Sequence, residues 1–572
     1  MSADFEVSGT NAAALFDLKL HRGDGMALVA MNWKNGKRPP DDFVGFAIEY
    51  KEPGSDRFFA LKNRLAFPGK DGAVDAARLS TLQSPIQKFR WVHFPRNANL
   101  DGDFHYRVTP VFMNSQGELS NGLAQEAAIQ LRRETYPGQL NVTFTRGFVL
   151  SQAFVDYYAK GGDFSTLIPS SADGGLTFKP SHPETDKALA WMGFEARAAI
   201  IDVLDQAIKD QAKVSVVAYD LNEPVLVERL EKIGDRLRVI IDDSGSHEPA
   251  DSAESQAAKR LIASAGAANV KRQHMGTLQH NKTIVVDGPT VKAVVCGSTN
   301  FSWRGFFVQN NNAIVLTGPE PVKVASAAFD SYWGVPDNNV SAFGKTGSAK
   351  WTDLGLAGID ARIAYSPHIK SNALLQSIAT DIADGTTSSL LYSLAFLYQT
   401  PGVIQNAIKK VSSDNKLFVY GISDKKVGGL DLQKPDGNVS PVFPTQLSKN
   451  LPAPFSEEPK GGGGNRMHHK FVVIDFDKPT ARVYLGSYNF SNPADTKNGE
   501  NLLIIRDRRI AVSYMIEALR IFDHYHFRVV QAEAKKAKKK LQLAKPPAHG
   551  QKPWFDEDYT VPRRIRDREL FC

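Results

Sequence analysis

The chain has 572 residues, of which 42% are hydrophobic and 23% are charged, and its formal net charge is +7. This length exceeds what one hydrophobic core organises and predicts about two to four domains. The composition excludes disordered and fibrous proteins. The sequence contains only two cysteines, Cys296 and Cys572, which excludes a disulfide framework and indicates a reducing compartment.

The first residues, MSADFEVSGT, have no basic segment followed by an apolar core, so we expect no secretory signal peptide. No apolar run reaches the ~18–20 residues that would span a bilayer. We therefore expect a protein without an integral membrane segment, either cytoplasmic or exported without a classical signal peptide. The positive charge favours anionic partners but does not distinguish nucleic acid from lipid headgroups.

Residues 1–135 have the pattern of an all-β domain. Short alternating or aromatic-rich runs such as ALVAMNW, FVGFAIEY and DFHYRVTPVF are separated by turn-rich pieces such as NGKRPPDD. This rhythm predicts a β-sandwich without catalytic residues of its own. Trp33, Tyr50 and Tyr106 resemble the core aromatic residues of a fibronectin type III-like domain.

A connector rich in Gly, Ser and Pro (residues 136–185) precedes two α/β segments, residues 186–340 and 360–530. Each segment runs strand, helix, strand and then a strand that opens with His and Lys, and each closes on a helix with the pattern Phe-Asp-x-Tyr. This order predicts an internal duplication with a central sheet between helices in each half. Residues 531–572 are predicted to form a basic helix end and an irregular tail.

The strongest pattern is H-x-K-x4-D, which occurs twice and is followed each time by G-S-x-N and then by Asn or Glu at one equivalent position. The matched residues are His280, Lys282, Asp287, Gly297, Ser298, Asn300 and Asn311 in the first half, and His468, Lys470, Asp475, Gly486, Ser487, Asn489 and Glu500 in the second.

Residues two apart on a strand share one face of the sheet. His280 and Lys282 should therefore point the same way, as should the histidine and lysine of the second motif. Each motif Asp lies an odd number of steps from its His. We therefore expect it to hold the end of the strand and not to touch the reacting group.

Two imidazoles and two ammonium groups are suited to a phosphodiester. One histidine can attack phosphorus while the other protonates the leaving oxygen. The lysines, together with Ser298, Asn300, Ser487 and Asn489, can bind the phosphate oxygens. No metal-ligand spacing or P-loop accompanies the motifs, so the sequence predicts a reaction without a metal or cofactor.

With two H-x-K-x4-D motifs and two G-S-x-N turns, residues 185–530 resemble the phospholipase D superfamily. The resemblance implies a pseudo-twofold active site between the halves, to which a single chain contributes both motifs. It also implies a covalent phosphohistidine that water or an alcohol resolves. The first histidine, His280, would be the nucleophile and the second, His468, the general acid.

Asn311 and Glu500 occupy equivalent positions, and Asn311 departs from the acidic residue commoner in the family. If Glu500 reaches His468, its carboxylate favours the imidazolium that a general acid needs. Asn311, opposite His280 in the alignment, would leave that imidazole neutral and nucleophilic.

The sequence leaves the substrate open. A phospholipid or membrane surface is our first choice of partner, because the basic stretch AKKAKKK could attract anionic lipid by about 1 kcal/mol per residue. The same lysines could instead contact nucleic acid, which makes a metal-independent endonuclease the alternative. A non-catalytic binding or scaffold protein is the third hypothesis.

Overall fold

The computed structural model of the protein describes residues 4–68, 79–95, 97–131, 134–147, 158, 166–336, 338–424, 430–435, 439–442 and 467–572. Two β-sheets at the N-terminus are followed by two α/β halves, as the sequence predicted.

Two antiparallel sheets make up the N-terminal domain, one in the strand order β1-β2-β3-β6 and the other in the order β5-β4-β7-β8, with β9 also paired to β7. Trp33 and Tyr106 are buried in the core between the sheets, and Tyr50 packs against it. The strands are β1 (Glu6–Ser8), β2 (Phe16–Arg22), β3 (Ala27–Trp33), β4 (Phe43–Lys51), β5 (Phe59–Ala60), β6 (Arg90–His93), β7 (Asp103–Met113), β8 (Leu119–Asn121) and β9 (Gln125–Gln130).

The first α/β half has a mixed sheet in the order β10-β16-β15-β14-β11-β12-β13. Its strands are β10 (Leu140–Phe144), β11 (Lys213–Ala218), β12 (Leu237–Ile241), β13 (Val270–Arg272), β14 (Lys282–Asp287), β15 (Lys292–Gly297) and β16 (Asn312–Thr317). Its helices are α1 (Thr185–Lys209), α2 (Pro224–Ile233), α3 (Ala253–Ala265), α4 (Pro319–Gly334) and α5 (Val340–Gly344).

The second half has a mixed sheet in the order β17-β18-β25-β24-β23-β19-β20-β21-β22. Its strands are β17 (Thr352–Asp353), β18 (Asp360–Ser366), β19 (Ser389–Leu394), β20 (Phe418–Asp424), β21 (Leu430–Gln433), β22 (Val439–Val442), β23 (Lys470–Ile474), β24 (Arg482–Gly486) and β25 (Glu500–Arg506). Its helices are α6 (Leu375–Gly385), α7 (Val403–Ser413), α8 (Asn492–Thr496) and α9 (Arg508–Lys536).

The two sheets share one topology. The order β10-β16-β15-β14-β11-β12 of the first half corresponds to β18-β25-β24-β23-β19-β20 of the second, with the same parallel and antiparallel pairings. Strand β10 lies inside residues 136–185, which the sequence had suggested as a connector. The sheet of the first half therefore starts at Leu140.

The motif strands β14 and β23 lie in the middle of their sheets, each paired on both sides. Their runs TIVV and FVVI are buried, and apolar residues on consecutive positions are typical of a strand covered on both faces. This central position fixes the backbone at the start of each strand, next to the motif His.

The halves meet directly ahead of these strands. The His468 backbone N–H donates to the Asn310 carbonyl at 3.1 Å, and the Gly499 N–H donates to the Leu278 carbonyl at 2.9 Å. A Cβ on Gly499 would lie 1.9 Å from Gln279 Oε1, so a larger residue there would force the Gln279 side chain to move. These contacts place the starts of β14 and β23 opposite each other.

The C-terminal tail is more regular than predicted. Beyond the end of α9 at Lys536 it forms two further short helices, α10 (Asp556–Thr560) and α11 (Pro562–Leu570). Phe555 is buried in the core of the N-terminal domain. Phe571 stacks on Phe476 of the second half. The prediction of an irregular tail was wrong for these helices, because apolar contacts with distant strands order them.

Among the described residues, no helix has the length and apolar character required to cross a membrane.

Candidate active site

The two motif histidines face each other at the junction of the halves. The ring centroids of His280 and His468 are 6.2 Å apart and their planes are inclined by 70°. Each ring is about 5% exposed. This separation leaves room for one phosphate group between the rings, which the two-histidine chemistry requires.

The motif lysines support the histidine backbones. Lys470 Nζ donates to the His468 carbonyl at 2.8 Å, and Lys282 Nζ donates in the same way to the His280 carbonyl. Both ammonium groups are therefore held beside the rings, on the first residues of β23 and β14.

The acidic and amide partners cross between the halves. His280 Nδ1 lies 2.8 Å from Glu500 Oε2, and His468 Nδ1 lies 2.8 Å from Asn311 Oδ1. The expected pairing of Glu500 with His468 and of Asn311 with His280 was therefore wrong. Alignment shows which positions are equivalent, whereas the contact is made with the equivalent position of the opposite half.

Hydrogen bonds fix the proton on His468. Asn311 Nδ2 donates to the Gly305 carbonyl at 2.9 Å and Asn311 Oδ1 accepts from Ser298 Oγ at 3.0 Å. The amide oxygen thus faces His468, whose Nδ1 must carry the proton. Nε2 is then the ring nitrogen free to act on a substrate.

The first histidine is fixed in the same way by a carboxylate. Glu500 Oε2 accepts from Ser487 Oγ at 2.7 Å as well as from His280 Nδ1. A buried carboxylate accepts only, so His280 also carries a proton on Nδ1. Its Nε2 lone pair is free.

The predicted phosphate contacts divide into two groups. Ser298 and Ser487 are fully buried and their hydroxyls hold Asn311 and Glu500, so they position the histidine partners. In the part of the chain that the structure describes, the Oδ1 atoms of Asn300 and Asn489 have no hydrogen-bond partner. A phosphate contact from these two amides stays a prediction.

The motif aspartates lie at the far ends of the strands, as expected. Asp475 Oδ1 accepts the backbone N–H groups of Thr387, Ser388 and Ser389 at 2.7–3.0 Å. Asp287 is exposed and pairs with Lys292 across the β14–β15 hairpin. Both aspartates thus lie at strand ends, and only Asp475 is buried there.

The glycines of the two G-S-x-N turns have left-handed backbones, with φ of 135° at Gly297 and 142° at Gly486. A Cβ would lie 2.6 Å from the Asn312 carbonyl oxygen at Gly297 and 2.2 Å from that of Asn501 at Gly486. Glycine is therefore required where these turns pass the neighbouring strand.

Sequence reasoning missed a second pair of contacts across the junction. Asn501 Nδ2 donates to Asn281 Oδ1 at 2.7 Å, and the equivalent residues His469 and Asn312 approach to 3.4 Å. Each of these four residues lies one position after a motif His or its partner. The alignment of the two halves could therefore have indicated these contacts. His469 Nε2 also lies 2.9 Å from Glu517 Oε1, which holds the other side of its ring.

The unliganded site disfavours positive charge. Burial lowers the pKa of His280 against the opposing effect of Glu500. Burial and the charges of Lys470 and Lys282 hold the pKa of His468 well below its usual value. Burial also lowers the pKa of Lys282 to about 8, and burial with the Lys282 charge lowers that of Lys470. An anion between the rings would relieve this repulsion.

Two segments of the chain match the model of a known protein family. Residues 200–333 and 401–522 match the family described as "Cardiolipin synthase, PLD-like domain". The phospholipase D of Rickettsia felis is 46% identical over 48 residues, which are 8% of this chain and 22% of that protein. The chain thus spans about a fifth of the length of the curated relatives it matches.

Two solved structures align with parts of the chain. Phosphatidylserine synthase from Haemophilus influenzae aligns with a TM-score of 0.41 at 15% identity, over 60% of this chain and 92% of that one. The phospholipase D family member Nuc from Salmonella typhimurium aligns with a TM-score of 0.20 at 23% identity, over 24% of this chain and 86% of that one. Residues 200–333 and 401–522, which carry the two H-x-K-x4-D motifs, thus match a phospholipase D-like family model.

Proposed function

We propose that the protein cleaves phosphodiesters through a covalent phosphohistidine at His280, with His468 as the general acid. The observation that carries this proposal is the pair of rings 6.2 Å apart, each with its Nδ1 proton engaged and its Nε2 free, between two buried lysines.

In the first step, the His280 Nε2 lone pair forms a bond to phosphorus and the bond from phosphorus to the leaving oxygen breaks. That oxygen takes the proton from His468 Nε2. The phosphorylated ring carries positive charge, which the Glu500 carboxylate stabilises through Nδ1–H. Lys282 and Lys470 neutralise the non-bridging oxygens.

In the second step, water or an alcohol attacks phosphorus and passes its proton to His468 Nε2. The N–P bond breaks and its electron pair returns to His280. Water completes a hydrolysis and an alcohol completes a transfer, so one site supports both reactions.

The second proton of His468, the one on Nε2, has to be taken up when the substrate binds. In the unliganded site the charges of Lys470 and Lys282 oppose protonation of this ring. A bound phosphodiester contributes a negative charge between the rings and restores the preference for imidazolium. Binding and protonation are therefore coupled.

We place a phospholipid first among substrates. The support is the name phospholipase D carried by the Rickettsia relatives over the short matched segment, together with the net charge of +7, which favours anionic surfaces. The same charge would serve nucleic acid, so a nuclease is the alternative outcome of the test below.

The test incubates the purified full chain, with and without chelator, with vesicles of phosphatidylcholine or phosphatidylglycerol, and separately with single- and double-stranded DNA and RNA. Release of phosphatidic acid with intact nucleic acid supports the lipid substrate, and the reverse result replaces it with the nuclease. His274→Asn is the matched control for variants of the two motif histidines. His274 is a half-exposed histidine that pairs with Asp243. Turnover of neither substrate class would overturn the catalytic proposal.

The N-terminal domain would attach this catalytic unit to a surface or partner. Its two packed sheets with buried Trp33 and Tyr106 support the fibronectin type III-like identity proposed from the sequence. Such sandwiches commonly serve in extended multidomain proteins as binding modules.

A further inference from the structure

A second cluster of ionisable side chains lies next to the catalytic pair, where the strands β11 and β12 end. Asp220 follows β11, His247 lies in the turn after β12, and Glu254 lies in the first turn of α3. One ligand atom from each of the three lies within 4.8 Å of those from the other two. The catalytic steps above use none of these side chains.

The imidazole is aimed into this cluster by a contact with a third carboxylate, that of Asp242. His247 Nδ1 lies 2.7 Å from Asp242 Oδ2, which also accepts from Ser244 Oγ at 2.6 Å. A carboxylate on one ring nitrogen is the usual support of a histidine whose other nitrogen binds a metal. Here that other nitrogen, Nε2, faces Asp220 and Glu254.

The separations suit ligands of one small ion. His247 Nε2 lies 3.4 Å from Asp220 Oδ1 and 3.8 Å from Glu254 Oε2. Ligands at about 2.0–2.2 Å from a tetrahedral ion lie roughly 3.3–3.6 Å apart. His247 Nε2 is therefore already at ligand spacing from Asp220, and its distance to Glu254 needs a closure of a few tenths of an ångström.

Glu254 gives an independent indication. Its Oε1 accepts the Leu221 N–H at 3.0 Å, which turns Oε2 towards His247 at a distance beyond hydrogen bonding. The residue is 3% exposed, and a buried carboxylate is costly unless a cation lies beside it. Asp220, at 21% exposure of its side chain, leaves an approach from solvent.

We propose that Asp220, His247 and Glu254 form a site for one divalent transition-metal ion of the Zn²⁺ or Mn²⁺ class, separate from the catalytic histidine pair. One imidazole and two carboxylates are a donor set that these ions accept. The Tyr219 ring contacts both sites, with its centroid 4.6 Å from that of His247 and 4.7 Å from that of His280. A bound ion would hold this ring against the nucleophile as a positioning element and take no part in the bonds that form and break.

The test measures metal content and binding on the full chain without substrate. The protein is stripped with chelator, dialysed against Zn²⁺ or Mn²⁺, and analysed by elemental analysis and calorimetry. We expect one ion per chain in the wild type and at least a tenfold loss of affinity in Glu254→Gln and in His247→Asn. Asp243→Asn, which removes a neighbouring carboxylate outside the cluster, should bind as the wild type does.

Co²⁺ provides a second measurement on the same proteins. Its visible absorption reports the ligand geometry, so the wild type should show a saturable band that Glu254→Gln weakens or removes. Absence of saturable binding in the folded wild type, or equal binding in both cluster variants, would overturn the site. Because none of these measurements uses turnover, failure of the proposed phosphodiesterase activity would not affect the result.

Discussion

At the residue scale, the two catalytic histidines differ in a single partner. His280 has the carboxylate of Glu500, and His468 has the amide of Asn311. A carboxylate stabilises the positive charge that a phosphorylated imidazole carries, whereas an amide orients a ring without adding charge. This difference supports the proposed order of nucleophile and acid, by a different contact from the one expected.

The role assignment predicts distinct behaviour of two alanine variants. With a substrate whose leaving group needs no proton, His468→Ala should still form the phosphoenzyme, and its turnover of ordinary substrates should fall about 10²–10⁴-fold. His280→Ala should lose both labelling and turnover. Acid-quenched labelling with a radioactive phosphodiester measures this. Labelling in His280→Ala but not in His468→Ala would reverse the roles.

Asn311→Asp should move the pH profile. The acid acts in its protonated form, so the rate falls as pH rises through the pKa of His468. A carboxylate 2.8 Å from Nδ1 raises that pKa, so the falling limb should move to higher pH by about 1–3 units. The pH dependence of kcat, with thermal unfolding to confirm the fold, tests this. If the falling limb stays at the same pH, that limb reports the titration of a group other than His468.

Lys282 predicts a second pH effect. Its ammonium has a pKa lowered to about 8 by burial, so the free enzyme loses this charge as pH rises above that value. Because kcat/KM reports the free enzyme, it should decline above about pH 8. Inhibition by inorganic phosphate should weaken in parallel. Phosphate inhibition that stays constant from pH 7 to pH 10 would contradict the prediction.

At the element scale, the two motif aspartates differ in the contacts that they make. Asp475 holds three consecutive backbone N–H groups at the start of β19, whereas Asp287 makes an exposed ion pair.

Asp475→Ala should therefore lower the free energy of unfolding by about 3 kcal/mol, because buried donors lose a charged acceptor. Asp287→Ala should cost less than about 1 kcal/mol. Urea denaturation of both variants measures the difference. Equal losses would show that the aspartates are equivalent after all.

The sequence pattern predicted those strands and helices that are determined mainly by their own residues. Buried β-branched runs marked β14 and β23, and the helices α2 and α7 each lie between two strands, in the strand-helix-strand order that the sequence predicted. Strand β10 and the short helices α10 and α11 were missed, because distant strands and apolar cores order them. The crossed pairing of Glu500 and Asn311 was missed for a related reason: a sequence alignment carries no information on how two equivalent halves dock.

At the scale of the whole molecule, the C-terminus ties the N-terminal domain to the second α/β half. The Phe571 ring stacks on Phe476 and packs edge-on against Phe418. Its carbonyl accepts from His21 Nε2 at 2.6 Å on the N-terminal domain. The last residues therefore belong to the packed structure.

Phe571→Ala should lower the free energy of unfolding by about 3–5 kcal/mol, since it empties a buried aromatic site. Leu123→Ala, at a leucine that is 56% exposed, is the matched control and should change stability by less than about 0.5 kcal/mol. Thermal unfolding of both variants measures this. A Phe571→Ala protein as stable as the control would mean that the tail does not join the two domains.

The exchange of partners across the junction has a consequence for genetics. A lesion in one copy of the duplicated motif alters the environment of the histidine in the other copy. Suppressors selected for a weakened His280 should therefore appear around residue 500, more than two hundred positions downstream, and those for His468 around residue 311. Random mutagenesis confined to the damaged repeat would search the wrong part of the gene.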